Sequence, residues 1–432
     1  MVYGRHGAQI AHKGGHIGVA HAVERLGGHD EQRLALVVHT LTNGARDLPV
    51  APILEVAARR QVGGVNRGEH VRNRALLAPI QHSRSVAGVA VAAQDGEALG
   101  ARDVLIAVRS AQVGWVDLLM TSGQYQHMPK PPYTPGLEYA GEVLWRGSEA
   151  AEHGISVGEA VYVDGLLSGP RSIGAYQQWG GFASYAVAPL EAVRPIPSGL
   201  SFDEACCLLG NYETAYHCLV ARGNLQAGEV VLIHGASGST GLAAVQLAKQ
   251  LGAIVIATGR SDEKLAVVKA HGADHVLNIR STDGSTAVRR FRDDVKAITS
   301  GQGVAVVYDG VGGEVSTESL RCMQFGGRFL IVGWAATPFV ANGKGQRGAP
   351  NANQLPTNLI MMKGLSVLGC PTVISTLHQP TIRPPRLAQI MQWIESGQIR
   401  PYISHRFPFA QYKDALRAKW RGEVIGSCVL HL

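Results

Sequence analysis

From about residue 96 onward, apolar and polar positions along the chain follow regular periods. "DVLIAVRSAQV" and "YAGEVLWRG" alternate or run apolar at strand length, with glycine or proline between them, and "EAVYVDG" and "GFASYAVAP" continue this turn-rich β block. "SFDEACCLLGNYETAYHCLVARG" has helical character, and Ser201 with Glu204 three residues on forms a capping-box signature at its start. The next 140 or so residues alternate strands ("VVLIH", "AIVIAT", "HVLNI", "VAVVYD", "RFLIVG", "LSVLGC") with helical patterns such as "TGLAAVQLAKQLG", "SDEKLAVVKAHG" and "EVSTESLRCMQFG". Six strands rich in Val and Ile, joined by helices, predict an α/β fold with a doubly wound parallel sheet covered on both faces. The last segments, "PPRLAQIMQWIESGQI", "ISHRFPF", "AQYKDALRAKW" and "GSCVLHL", return to mixed helix and strand and are expected to pack back on the first β block.

The first 95 residues lack this order. They hold eight of the 17 His, a single Tyr (Tyr3), no Phe and no Trp, and glycine breaks nearly every apolar run. A core without aromatics loses its largest contributors to burial. Three readings are open: a small extra domain, a disordered tail, or a translation begun too far upstream, with the last two favoured. Seven acids and two serines (Ser83, Ser85) argue against a transit peptide. "RSVAGVAVAAQ" is expected to supply at most one strand.

Composition narrows the class. The chain has 432 residues, 46% of them hydrophobic and 17% charged, as in soluble globular proteins. Residues 1–95 carry ten Arg and Lys13 against seven acids, about +4 of the net +7, so the rest is nearly balanced. With no basic stripe interleaved with aromatics, nucleic acid is not the expected partner. Cys206, Cys207, Cys218, Cys322, Cys370 and Cys428 form no CxxC pair, which argues for reduced thiols and against a structural zinc. No uncharged apolar run reaches the roughly 18 residues of a membrane span, and the N-terminus has no apolar signal-peptide core. A cytoplasmic protein is expected.

The chemistry concentrates at "VLIHGASGSTG", where a strand ends in Ala236-Ser237-Gly238-Ser239-Thr240-Gly241 and a helix begins. This is the dinucleotide fingerprint with its first glycine replaced by Ala236. Gly238 lets backbone approach a pyrophosphate, Gly241 lets helix and strand pack closely, and the helix N-terminus faces the phosphates. About 20 residues on, where a protein preferring NADH places an acid for the ribose hydroxyl, stand Thr258-Gly259-Arg260-Ser261. Arg260, Ser261 and Lys264 offer two cations and a hydroxyl suited to a 2′-phosphate. Asp262 and Glu263 fall in the first turn of the next helix, where acids complement the dipole. NADPH is therefore the expected cofactor.

From Gly96 to its end the chain resembles the zinc-free quinone oxidoreductases of the medium-chain dehydrogenase/reductase superfamily, the ζ-crystallin-like group. The resemblance rests on "DLLMTSGQY", "PGLEYAGEV", "NYETAYHCL", "VLIHGASGSTGLAAVQLAKQLGA", "VVYDGVGG", "GGRFLIVGW" and "GQIRPYISHRFPF" and covers about three quarters of the chain. It implies a GroES-like catalytic domain over residues 96–222 and 371–432, interrupted by a Rossmann domain over 223–370, with the active site between them and commonly a homodimer. It also implies that Asn211, Tyr212 and Thr214 face the nicotinamide, that Ser237 to Gly241 bind the phosphates, and that Gly333 and Trp334 form a further cofactor loop. Trp115 and Tyr125 match cleft positions beside the substrate, and Tyr125 is a candidate proton or hydrogen-bond donor.

Zinc-dependent relatives use a cysteine near the first cleft motif and a His-Glu pair. Here "VGWVD" offers no cysteine and Leu137 stands before Glu138, so no metal is expected. Other departures bear on substrate and cofactor: Gly114 replaces an Asn, Ile279 a Tyr, and Ser427 a basic residue, and a Gly/Asn-rich stretch, "ANGKGQRGAPNANQLP", follows the fifth strand. The implied activity is hydride transfer from NADPH to a quinone or similar acceptor. The alternatives are an enone, alkenal or enoyl-thioester reductase on the same scaffold, and a weakly catalytic NADPH-binding protein acting through partners or RNA.

A chain beginning near Ser83 is expected to fold, bind NADPH and reduce a quinone like the full chain. Limited proteolysis should remove the upstream segment first and leave a body of about 340 residues. A truncation that unfolds or no longer binds NADPH would make the upstream segment a true domain.

Overall fold

A computed structural model of the chain describes residues 99–172, 175–282, 287–335 and 353–432, together with the backbone of two upstream strands. Those strands, β1 (Gln32–Val38) and β2 (Leu54–Arg60), pair antiparallel. The strand expected in "RSVAGVAVAAQ", and nearly all of the segment expected to lack order, lie outside the described residues.

The turn-rich block supplies β3 (Asp103–Gln112), β4 (Tyr139–Arg146), β5 (Ala160–Val163), β6 (Tyr185–Pro189) and β7 (Val193–Pro195). The alternating block supplies β8 (Val230–Ile233), β9 (Ile254–Gly259), β10 (His275–Asn278), β11 (Val304–Asp309), β12 (Met323–Ile331) and β13 (Ser366–Gly369). The chain then returns with β14 (Ile403–Pro408) and β15 (Ser427–His431). The return is as expected: β15 pairs antiparallel with β3, so the first sheet runs β14-β15-β3-β4-β5-β7, with β6 also on β3.

The second sheet has the order β10-β9-β8-β11-β12-β13, and all its pairings are parallel. All six strands anticipated from sequence are present. Their near-continuous apolar runs follow from burial on both faces. Val231, Val255, Val306 and Leu330 point into one core cluster, and their neighbours Leu232, Ile256, Val307 and Phe329 into another on the opposite face. Strand order reverses direction between β8 and β11, which opens a crevice at the strands' carboxyl ends, where open α/β sheets bind ligands.

Between the sheets, residues 201–223 read as one helix from sequence but fold as three pieces. Phe202–Ala205 starts on the anticipated box, with Glu204 N–H donating to Ser201 Oγ and Ser201 N–H to Glu204 Oε2. A tight turn follows, then helix Leu209–Tyr216 and one wide π-helical turn, His217–Arg222. The break redirects the middle piece so that Glu213 points between Arg383 and Arg386, on the later helix Arg383–Glu395. Arg383 Nη2 donates to Glu213 Oε1 at 2.7 Å and to Asp164 Oδ1, just past β5, at 2.8 Å. Arg386 Nη2 donates to Glu213 Oε2 at 2.6 Å and to Thr376 Oγ1 at 2.8 Å. All four charged groups are buried. Among the described residues no helix is long and apolar enough to cross a membrane.

Glu213→Ala leaves two buried guanidinium groups without their shared carboxylate. A loss of about 3–5 kcal/mol in unfolding free energy is expected, measured by urea denaturation. A loss under about 1 kcal/mol would show that the network is hydrated and contributes little.

Candidate active site

The glycine loop leaves β8 at the crevice and enters helix Ser239–Gln250. Gly241 is required by close packing, because a Cβ there would fall 2.2 Å from the Gly235 carbonyl oxygen. Gly238 is the N-cap, and no side chain caps the helix, so its first N–H groups point outward toward the crevice. The loop at Gly333 and Trp334 lies alongside: Gly333 N–H donates to Asp309 O at 3.2 Å and Ala335 N–H to Gly310 O at 3.1 Å. Both loops therefore lie at the carboxyl ends of the sheet, after the two strands, β8 and β12, that flank β11.

The glycine loop is stitched to the returning part of the chain. Gly426 N–H donates to Ser237 O at 2.8 Å, and Ser239 Oγ donates to Gly426 O at 2.6 Å. Lys419 Nζ, near the end of helix Tyr412–Trp420, donates to Ser239 Oγ at 2.9 Å. Its neighbour Trp420 stacks on Trp115, with ring centroids 5.8 Å apart and planes 10° apart. Trp115 opens helix Trp115–Thr121, which carries the cleft side of the first sheet.

Asn211 ties the two halves together. Thr240 Oγ1 donates to Asn211 Oδ1 at 3.3 Å, and Asn211 Nδ2 donates to Cys207 O at 2.9 Å. The Gln112 amide, oriented so that every group finds a partner, accepts from Asn211 Nδ2 at 3.1 Å and donates to Glu138 at 3.0 Å. Glu138 Oε1 in turn accepts the Gly210 N–H at 2.5 Å. Asp117, buried, accepts the N–H groups of Gly114 (2.8 Å) and Leu137 (3.2 Å) and so fixes the Gly136-Leu137-Glu138 turn. Burial pushes the Asp117 carboxyl up to about 6 and Glu138 up to about 7, with Arg171 opposing both shifts. Tyr125 packs with Met120 and Leu137, and burial raises its phenol above its ordinary value.

The structure thus brings together Asn211, Thr240, Ser237, Ser239 and Trp115. It separates others. Tyr212 is 2% exposed and turned away, its hydroxyl donating to Gln246 Oε1 at 2.8 Å inside the core. Thr214 donates to the Gly210 carbonyl within its own helix at 2.7 Å. Lys264, expected beside Arg260, reaches instead to the carbonyls of Gly422 and Val424. Ser261 caps the next helix, accepting from Lys264 N–H, while Arg260 is exposed and has no carboxylate partner among the described residues. Ile279 is a buried core residue. Sequence reasoning did not single out Gln112, Asp117, Arg171, Lys419 or Trp420. Only Asp117 and Glu138 gave a signal, as acids within otherwise apolar cleft motifs.

A carboxyl held above its unfolded value makes the native state less favourable as pH rises. The unfolded chain gives up the Glu138 proton near 4.5, the native one only near 7, so stability should fall across that window by about 3 kcal/mol. Glu138→Gln should flatten this part of the pH–stability curve, read by denaturant titration from pH 4.5 to 7.5. An unchanged slope would assign the pH dependence to other groups.

Comparison with known proteins agrees with this architecture. The alcohol dehydrogenase GroES-like domain model matches residues 100–198, and the zinc-binding dehydrogenase model matches residues 239–383. A quinone oxidoreductase-like protein 2 homolog of Nematostella vectensis is 32% identical over 335 residues, 76% of this chain and 82% of the relative. The quinone oxidoreductase of Thermus thermophilus, solved alone and with NADPH, is 27% identical with a TM-score of 0.59, covering 77% of this chain and 92% of that one. A mycobacterial structure complexed with NADPH is 25% identical with a TM-score of 0.63, covering 78% and 94%. With its β-rich sheet, its parallel six-stranded sheet and these relatives, the chain belongs to the quinone oxidoreductase group of the medium-chain dehydrogenase/reductase superfamily.

Proposed function

We propose that the chain is an NADPH-dependent reductase that passes a hydride to a quinone or a similarly activated acceptor, without zinc and as a homodimer. The observation that carries this reading is the uncapped glycine loop at the crevice, with Arg260 at the end of the neighbouring strand β9 and without a carboxylate partner among the described residues. Relatives named quinone oxidoreductase, one of them solved with NADPH, support it.

The residues present fit the cofactor. The uncapped N–H groups at the start of helix Ser239–Gln250 would hold its diphosphate, Arg260 and the Ser261 hydroxyl its 2′-phosphate, and the Gly333-Trp334 loop its nicotinamide half. Bound NADPH supplies the hydride, from C4 of its nicotinamide. The protein's own part is to orient and to exclude water. Asn211 is immobilised by Gln112 and Thr240, so its polar edge keeps a fixed position in the crevice. Trp115 and Trp420 wall one side, and Tyr125 with Val116, Leu119 and Met128 forms an apolar surface for a planar acceptor. With its phenol raised by burial, Tyr125 keeps its proton at neutral pH and serves as hydrogen-bond donor to the acceptor oxygen. Reduction of a quinone is balanced by one hydride and one proton, the latter delivered through Tyr125 or solvent.

The zinc-free reading is supported by Leu137, which offers no metal donor, and by Glu138, whose two oxygens serve Gly210 and Gln112. The homodimer is supported by the resemblance and by an apolar patch of exposed Phe325, Met361 and Met362.

NADPH oxidation with a quinone should exceed that with a 2-alkenal. The reverse would favour an enone reductase, and tight NADPH binding without turnover a regulatory protein. Arg260→Ala should weaken NADPH about ten- to hundredfold and leave NADH nearly unchanged, measured as dissociation constants. Equal losses for both would remove Arg260 from the 2′-phosphate site. One zinc per chain by elemental analysis would overturn the zinc-free part.

A further inference from the structure

Lys419 is a cation in an unusual place. Its ammonium sits 2.9 Å from the hydroxyl of Ser239, the first residue of the helix that the glycine loop opens. No carboxylate pairs with it among the described residues, and the Ser239 hydroxyl is its one hydrogen-bond partner there. A helix N-terminus is itself an electropositive end. Two positive features lie this close, with Asp117 acting on the ammonium's charge without bonding to it.

The lysine is held there by several independent contacts. Trp420 stacks on Trp115, Gly426 bonds to Ser237 and Ser239, and Lys264 binds the carbonyls of Gly422 and Val424. Lys264 therefore fastens the strap that follows helix Tyr412–Trp420, and Lys419 is the amine delivered to the loop. Burial lowers the Lys419 amine from its ordinary value, and Lys264 opposes its charge, while Asp117 and the Cys207 and Cys428 thiols favour it. An unpaired, partly desolvated ammonium is prepared to gain from a phosphate oxygen.

We infer that Lys419 is the cation that binds the dinucleotide's diphosphate, reaching the glycine loop from the returning part of the chain. The assignment rests on the cofactor reading above and extends it. The diphosphate is common to NADPH and NADH, so Lys419 serves affinity for both, and Arg260 with the Ser261 hydroxyl distinguishes them. The lysine also couples binding to the cleft, because it comes from the element that carries Trp420.

The test is equilibrium binding of NADPH and NADH to the full chain, by nucleotide fluorescence or calorimetry, with thermal unfolding as a fold control. Lys419→Gln keeps a donor for Ser239 and removes the charge. It should raise both dissociation constants by the same factor, about ten- to hundredfold. Lys419→Arg should restore most of the affinity. If Lys419→Gln melts early, the arginine variant still decides between charge and packing: wild-type binding at an altered melting temperature supports the charge, and lost binding overturns it. Unchanged constants for the glutamine variant overturn the inference while leaving the cofactor reading intact. A loss confined to NADPH moves Lys419 to the 2′-phosphate and overturns it too. A wild-type chain that binds neither nucleotide overturns the cofactor reading and this inference together.

Discussion

The position of Glu213 constrains everything around the crevice. A carboxylate shared by two buried guanidinium groups, one of which also holds Asp164, is stable only when every member is present. Those members come from the end of β5, from helix Leu209–Tyr216 and from helix Arg383–Glu395, so the network ties the first sheet to both helices through one side chain. Its consequence is positional. With Glu213 fixed, Asn211 two residues earlier can point only toward Gln112 and Thr240, and Gly210 only toward Glu138. The break in the helix after Ala205, where the N–H groups of Cys206, Cys207 and Leu208 stay bonded within the turn, is what allows this arrangement.

A second fastening acts at the other end of the crevice, and its chemistry differs. The glycine loop is held by main-chain and hydroxyl hydrogen bonds from Gly426 and by Lys419, with no carboxylate bonded there among the described residues. A neutral stitch with a single positive charge suits a loop whose task is to receive an anion. An acid there would occupy the lysine and raise the cost of bringing a diphosphate in. The charge balance of the two fastenings therefore divides their work: Glu213 closes a fully paired structural network, and the Lys419 end remains electrostatically incomplete.

Much of this was legible in the sequence, because it is written in local pattern. The six parallel strands, the capping box at Ser201, the glycine loop and the return of the C-terminal strands onto β3 all follow from periodicity and turn chemistry. Side-chain direction was not legible. Tyr212 and Asn211 are adjacent in one motif, yet on a helix they lie about 100° apart, and only the packing of Gln246 shows which faces inward. Lys264 lies near Arg260 in sequence, but its long stem carries the ammonium to Gly422, 158 residues away. Lys419 sits in a polar helix surface with no local mark, since its role depends on a pairing with Ser239, 180 residues earlier.

Gly114 illustrates how a loss of polarity at one position is balanced at another. The resemblance places an Asn there, and its absence alone would leave the cleft less polar. Yet a Cβ at Gly114 would lie 3.2 Å from Asp117 Oδ2, tight enough to push the carboxyl away from the Gly114 N–H it binds. The glycine thus admits Asp117, which takes up both that N–H and the one at Leu137. Because burial holds Asp117 near 6, the carboxyl is mostly ionised at neutral pH but protonates readily just below it. Polarity at this turn is carried by the buried Asp117, in front of which Tyr125, Leu137 and Met128 pack as one apolar cluster.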